Sequence, residues 1–146
     1  MANMSIGKLE WTNDLKTGVA EIDDQHMILV HTLNEASEKL AIEASAESLE
    51  QITQDLLSYA LYHFETEEEL MQQYAYQEVS KEDAQRHLDQ HRGFSSKVVS
   101  VRDGLKAGDL IAPEALLGFL NEWLVNHIQN TDKRLASYIL ECRKSA

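Results

Sequence analysis

Five of the six histidines in this 146-residue chain fall on helical stripes that also carry apolar residues and acids. His87 and His91 are four residues apart, one helical turn, so two imidazoles can grip one metal ion from the same side. His63 and Glu67 share that spacing and put an imidazole and a carboxylate on one face. His26 lies between Ile22 and Leu29, and His127 lies four residues past Trp123, each inside an apolar stripe. His31, five residues past His26, falls about 140° around the helix and off the stripe. Asp132 is the natural second bridging carboxylate, yet its five-residue offset from His127 gives the same mismatch of about 140°. A bent or loosened helix, or a sideways reach to a second metal, would reconcile it.

Taken singly, each group has an ordinary explanation: a hydrogen-bonded core histidine, a local i,i+4 pair, a solvated aspartate. Taken together they do not. Burying five imidazoles with a carboxylate would cost several kcal/mol for each unmet polar group, and a metal centre satisfies all of them at once. The donors are too many for one tetrahedral zinc. Imidazole with carboxylate suits iron, and a bridging carboxylate makes a two-metal centre economical in ligands. Zinc or manganese is a minor alternative. The run from Glu65 to Glu69 puts only Glu67 on the stripe, so Glu65, Glu68 and Glu69 read as a solvated face. Trp123, Ile128, Phe64 and Leu88, each beside a candidate ligand, are candidate walls of a dry pocket.

Four amphipathic helices must position these groups. The first spans about Ile22 to Ala41, with Ile22, Leu29, Leu33, Ala36 and Leu40 in its stripe and Asp23 and Asp24 at its positive end. The second spans about Ala46 to Tyr74, with Ser45 as N-cap and Leu49, Ile52, Leu56, Tyr59 and Leu70 in line. The third follows Ser80, whose hydroxyl can cap with Asp83 three residues on, and ends at Gly104 or Gly108. Its stripe is Ala84, Phe94, Val98, Val101 and Leu105. The fourth opens at Pro113 and runs to about Leu140, with Leu116, Leu120, Trp123, Leu135 and Tyr138 in line. Short connections at about 42–45, 75–80 and 106–112 make successive helices antiparallel neighbours. The expected fold is all-α, an up-down-up-down antiparallel four-helix bundle over about 21–141. Residues 1–20, with Ile6, Leu9, Trp11 and Val19, read as an extended arm that packs Trp11 on the bundle. In that arrangement all the candidate ligands converge at one end of the core.

Composition bounds the rest. A chain of this length reads as one domain, 1–146. Six glycines and one proline stand where average usage gives about ten and seven, which favours long helices over many turns. Acids outnumber bases 25 to 13, for a net charge of −12, so phosphate backbones would be repelled and no nucleic-acid partner is expected. The lone Cys142 asks for no oxidising compartment. No basic start with an apolar run and no 20-residue apolar span is present, so the expectation is a soluble, cytoplasmic protein without membrane insertion.

In order and spacing, His26, His63-Phe-Glu-Thr-Glu67, His87-Leu-Asp-Gln-His91 and His127-Ile-Gln-Asn-Thr-Asp132 resemble the hemerythrin signature. Ile22-Asp-Asp-Gln-His26 and Trp123-Leu-Val-Asn-His127-Ile128 look like the family's bacterial members, the bacteriohemerythrins. The resemblance runs from Trp11 to about Ile139 with no departure at a ligand position. It implies two iron ions, one completed by His87, His91 and His127 and the other held by His26 and His63. Glu67, Asp132 and a solvent-derived oxo or hydroxo group would bridge them. O2 would bind reversibly at the iron with two histidines, for storage, delivery or sensing rather than as the substrate of an enzyme. Imidazole-rich ligation agrees, because it brings less negative charge than glutamate-rich di-iron oxidase sites. The rival functions are a di-iron redox enzyme acting on O2, peroxide or nitric oxide, and an oxygen- or redox-responsive regulatory module with a separate partner.

Overall fold

A computed structural model of the chain describes residues 10–43, 45–109 and 111–145. Its elements are α1 (Ala20–Ile42), α2 (Ala46–Gln73), α3 (Tyr76–Val79), α4 (Lys81–Lys106), α5 (Pro113–Asn126), a π-helical turn (His127–Asp132) and α6 (Lys133–Ser145), preceded by a 3₁₀ turn at Asn13–Leu15. The last long helix is therefore one rod with a wide turn inserted in its middle. Cross-helix partners show the antiparallel arrangement directly. Gln54 of α2 meets Arg102 of α4 while Glu68, a few turns on, meets His91. Asp83 meets Arg134 while Gln90 meets His127. The bundle is all-α and up-down-up-down, as the stripes predict. No helix among the described residues is long and apolar enough to cross a membrane.

Local chemistry explains most boundaries. Ser45 caps α2 by accepting from the Ser48 amide at 3.0 Å. Pro113 stands at the start of α5, where its missing N–H costs nothing. Gly108, at φ 97°, closes α4, and the Asp109 amide then reaches back to the Gly104 carbonyl at 2.8 Å. Gly108 rather than Gly104 is thus the terminator.

Three expectations are corrected. Ser80 is the N-cap residue of α4, but its side chain makes no capping bond, and Asp83 binds Arg86 and Arg134 instead. The 75–80 connection is not plain loop. Ala75 turns the chain in the left-handed region, φ 55°, into the single-turn α3, whose Tyr76 is buried against Tyr138. The arm is not fully extended either. Its 3₁₀ turn buries Leu15 in the core, and Trp11 packs half-buried beside it. Asp23 ties the arm to α1 by accepting from the Thr17 amide, the Thr17 hydroxyl and the Gly18 amide at 2.8, 2.7 and 3.1 Å. Ile6 and Leu9 lie outside the described residues.

The core is divided. A larger apolar cluster contains Leu29, Leu33, Leu56, Phe64, Phe94, Leu120 and Ile128, and a smaller one contains Val19, Ile22, Leu70, Met71, Tyr76, Ala84, Leu135 and Ile139. On every long helix the buried histidines and acids fall at the junction between these clusters in sequence. The polar groups do gather toward one end of the bundle, but a second apolar layer covers that end.

Candidate metal centre

Each buried polar side chain is placed by helix geometry. His87 and His91, and likewise His63 and Glu67, are stacked one turn apart on α4 and α2. His26 enters from α1, one turn before Leu29. The offset at His127 and Asp132 is resolved by the π turn, in which the Lys133 amide bonds the Ile128 carbonyl five residues back. One residue more per turn swings Asp132 back beneath His127, so both side chains enter the core. All seven candidate residues, His26, His63, Glu67, His87, His91, His127 and Asp132, are buried.

They form two overlapping groups. Glu67, His87, His91, His127 and Asp132 each offer a ligand atom within 4.8 Å of the others, and so do His26, His63, Glu67 and Asp132. The two carboxylates belong to both. Glu67 Oε1 lies 3.0 Å from His91 Nε2, 3.3 Å from His87 Nε2 and 3.4 Å from His63 Nε2. Asp132 places Oδ2 2.7 Å from His26 Nε2, and Oδ1 2.9 Å from His127 Nε2 and 3.1 Å from His87 Nε2. Every imidazole thus turns Nε2 inward.

The donor set fits metal ions better than it fits itself. His26 Nε2, His63 Nε2, His127 Nε2, Glu67 Oε2 and both Asp132 oxygens are buried without an aligned hydrogen-bond partner, although several sit at contact distance. Buried donor atoms gathered this closely and left short of hydrogen bonds are what a cation site offers, and left unmet they would be costly. The electrostatics agree. Burial opposes charge on Glu67 and Asp132, but the surrounding imidazoles outweigh it and hold both carboxyls well below the usual range. Burial likewise pushes His87 and His127 down, but Glu67 and Asp132 together raise them to about 10 and about 9. His63 follows its desolvation and falls to about 4. Without metal the cluster is a nest of carboxylates sharing protons with imidazoles, and a cation would displace those protons.

Outer partners fix three of the rings. Gln25 Oε1 accepts from His63 Nδ1 at 2.7 Å while its amide donates to Thr66 Oγ1. Gln90 Oε1 accepts from both His127 Nδ1 and Thr131 Oγ1 at 2.7 Å. Glu68 Oε2 accepts from His91 Nδ1 at 2.9 Å. This corrects the reading of Glu68 as part of a solvated face: it sits one residue past Glu67, at the α2–α4 seam, and reaches across it. The sequence reading missed Gln25, Gln90 and Thr131. Their only sequence signal is adjacency, since Gln25 precedes His26 and Gln90 precedes His91, while each serves a histidine on another helix.

Of the wall candidates, Phe64 stacks on His91 (ring centroids 3.9 Å apart, 11° between planes) and Trp123 stacks on His127 (4.4 Å, 15°). Ile128 is fully buried, and Leu88 packs half-buried on the smaller cluster. His31 stays outside the cluster, exposed and 3.6 Å from Glu35.

Comparison with known proteins agrees with this geometry. Residues 17–139 match the Hemerythrin HHE cation binding domain. The chain is 34% identical over 137 residues to a bacteriohemerythrin of Pseudomonas aeruginosa (strain LESB58), covering 94% of this chain and 83% of that protein. It is 30% identical to a bacteriohemerythrin of Stenotrophomonas maltophilia (strain R551-3), over 90% of this chain and 81% of that one. A crystal structure of wild-type hemerythrin superposes with a TM-score of 0.81 at 25% identity, covering 91% of this chain and 98% of that one. Sequence and fold together place this chain in the hemerythrin family.

Proposed function

We propose that the two overlapping groups hold a pair of iron ions and that the pair binds O2 reversibly, for storage, delivery or sensing. One observation carries this reading: a fully buried donor set that divides into three imidazoles on one side and two on the other, with Glu67 and Asp132 common to both. In this reading His87, His91 and His127 complete one ion and His26 and His63 hold the other, leaving the poorer side to accept a ligand. When bound, such a pair would supply reversible two-electron chemistry toward O2.

The chain's own residues do the rest. Glu67 and Asp132, which belong to both groups, would be shared by the two ions. Gln25 and Gln90 accept the outer N–H of His63 and His127, which holds Nε2 toward the metal. Phe64, Trp123 and Ile128, together with the smaller apolar cluster, would limit the access of bulk water to the pair. A cytoplasmic setting belongs to the same proposal and rests on the lone Cys142, which asks for no oxidising compartment.

One feature favours one-way redox use instead. An open groove of about 340 Å³ lined by Gln90, Phe119, Trp123, Asn126 and Asn130 reaches His127, and it offers an external reductant an approach to the three-histidine side. An optical cycle separates the two. Iron-loaded protein is reduced without air, O2 is admitted, and the gas is then stripped. A visible band that appears and vanishes over repeated cycles is expected; a single advance to ferric iron would favour redox turnover.

A further inference from the structure

We propose that Glu68 is a positioning residue that makes the three-histidine half of the centre the electron-rich half. The proposal rests on the two-iron reading above. Three of the five inward-facing imidazoles have a partner on Nδ1, and the partners differ in charge. His63 and His127 each bond a neutral amide, from Gln25 and Gln90, whereas His91 bonds the Glu68 carboxylate at 2.9 Å. His26 and His87 have buried outer nitrogens with no partner among the described residues in the same role. Among the described residues, a carboxylate is therefore placed on the outer nitrogen of one ligand ring, that of His91.

The geometry directs that charge. Phe64 stacked flat on His91 fixes the plane of the imidazole, so Nδ1 points to Glu68 and Nε2 to Glu67. A carboxylate that accepts the Nδ1 proton bond draws that proton outward and leaves more electron density on Nε2, which makes the imidazole a better donor to metal. Charge-assisted bonds of this kind are roughly twice as strong as bonds between neutral groups. Glu68 stands on α2 beside Glu67 but is partly exposed, whereas Glu67 is fully buried. One acid thus ligates while its neighbour acts through a ligand. The consequence is a higher-valent state favoured on the three-histidine side and hence a lower reduction potential there.

The test is the reduction midpoint of the iron-loaded full chain, followed by spectroelectrochemical titration. Glu68→Gln keeps an acceptor for His91 Nδ1 and removes only the charge, matching what Gln25 and Gln90 already do. It is expected to shift the reduction equilibrium about tenfold toward the ferrous state, about 59 mV for a one-electron couple, with iron content unchanged. Gln90→Glu places a carboxylate on His127 and is expected to shift the equilibrium the opposite way. If Glu68 only orients the ring, Glu68→Gln leaves the midpoint where it was and only Glu68→Ala disturbs the centre; that result overturns the proposal. Should Glu68→Gln fail to load iron, Gln90→Glu decides alone: a lowered midpoint supports the proposal and an unmoved one overturns it. Failure of the unaltered chain to take up two irons is a different result, and it removes the functional reading underneath.

Discussion

The two halves of the buried cluster are built from the same residue types yet held very differently. The His87, His91 and His127 half is clamped from outside: Glu68 and Gln90 bond two of its rings, and Phe64 and Trp123 stack on those same two. The His26 and His63 half has one outer bond, from Gln25, and its rings meet each other edge to face at 4.6 Å. Depth does not separate them, since both halves are buried to the same degree. Support separates them. One group of rings is therefore held more firmly than the other, because of which helices bring polar and aromatic neighbours to the seam.

The largest disturbance of this comparison comes from removing what the halves share. Glu67→Ala should abolish two-metal loading, because Glu67 contacts histidines of both groups. Iron content of the purified variant checks it, and a chain still holding two irons would take Glu67 out of the centre. A smaller and one-sided effect is expected from the outer amides. Gln90→Ala should weaken the three-histidine position, and Gln25→Ala the two-histidine position, by about 10- to 100-fold in metal affinity. Competition with a chelator measures each, and equal losses at both positions in both variants would erase the distinction.

Acid–base behaviour of the metal-free chain sharpens the comparison from another side. His63 is held at about 4 by burial, below the roughly 6.5 of an unfolded chain, so the unfolded state takes up the extra proton first as pH falls. Stability should drop through that window, and Glu67 and Asp132, with lowered values, add to the loss at lower pH. His87 and His127, raised to about 10 and about 9, contribute fully below about pH 6.5 and lose that contribution as pH rises through 9 to 10. Thermal unfolding of the metal-free protein should therefore be most resistant near neutrality and weaken on both sides. A flat profile from pH 4 to 10 would contradict the shared-proton arrangement. The smallest effect belongs to His31→Ala. That side chain is 74% exposed and 3.6 Å from Glu35, so iron content and the oxygenation spectrum should stay as they were.

The contrast also marks what the sequence can carry. Inward-facing groups obey helix periodicity, so His26, His63, Glu67, His87, His91 and His127 are legible from spacing alone. The bundle follows from the same stripes and the short connections between them. Asp132 is legible only as a conflict, because a regular helix forbids it; the π turn that admits it leaves no compositional mark in His127 to Asp132. Glu68, Gln25 and Gln90 are a different matter. Their partners lie on a neighbouring helix, and within their own helix they look like half-exposed polar residues. The same holds for Tyr76, whose burial depends on a left-handed Ala75 that no turn-forming residue announces. Periodicity reports facing, whereas partnership across a seam needs the packed bundle.

Gas stoichiometry tests the central claim most directly. Iron-loaded, fully reduced chain is titrated with O2 in a closed cell, the uptake is measured against iron, and the gas is then withdrawn and measured again. One O2 bound for every two irons, and fully recovered over several cycles, is the expected result. Uptake that is not recovered, or that scales with single irons, would contradict a paired centre that holds O2 and gives it back.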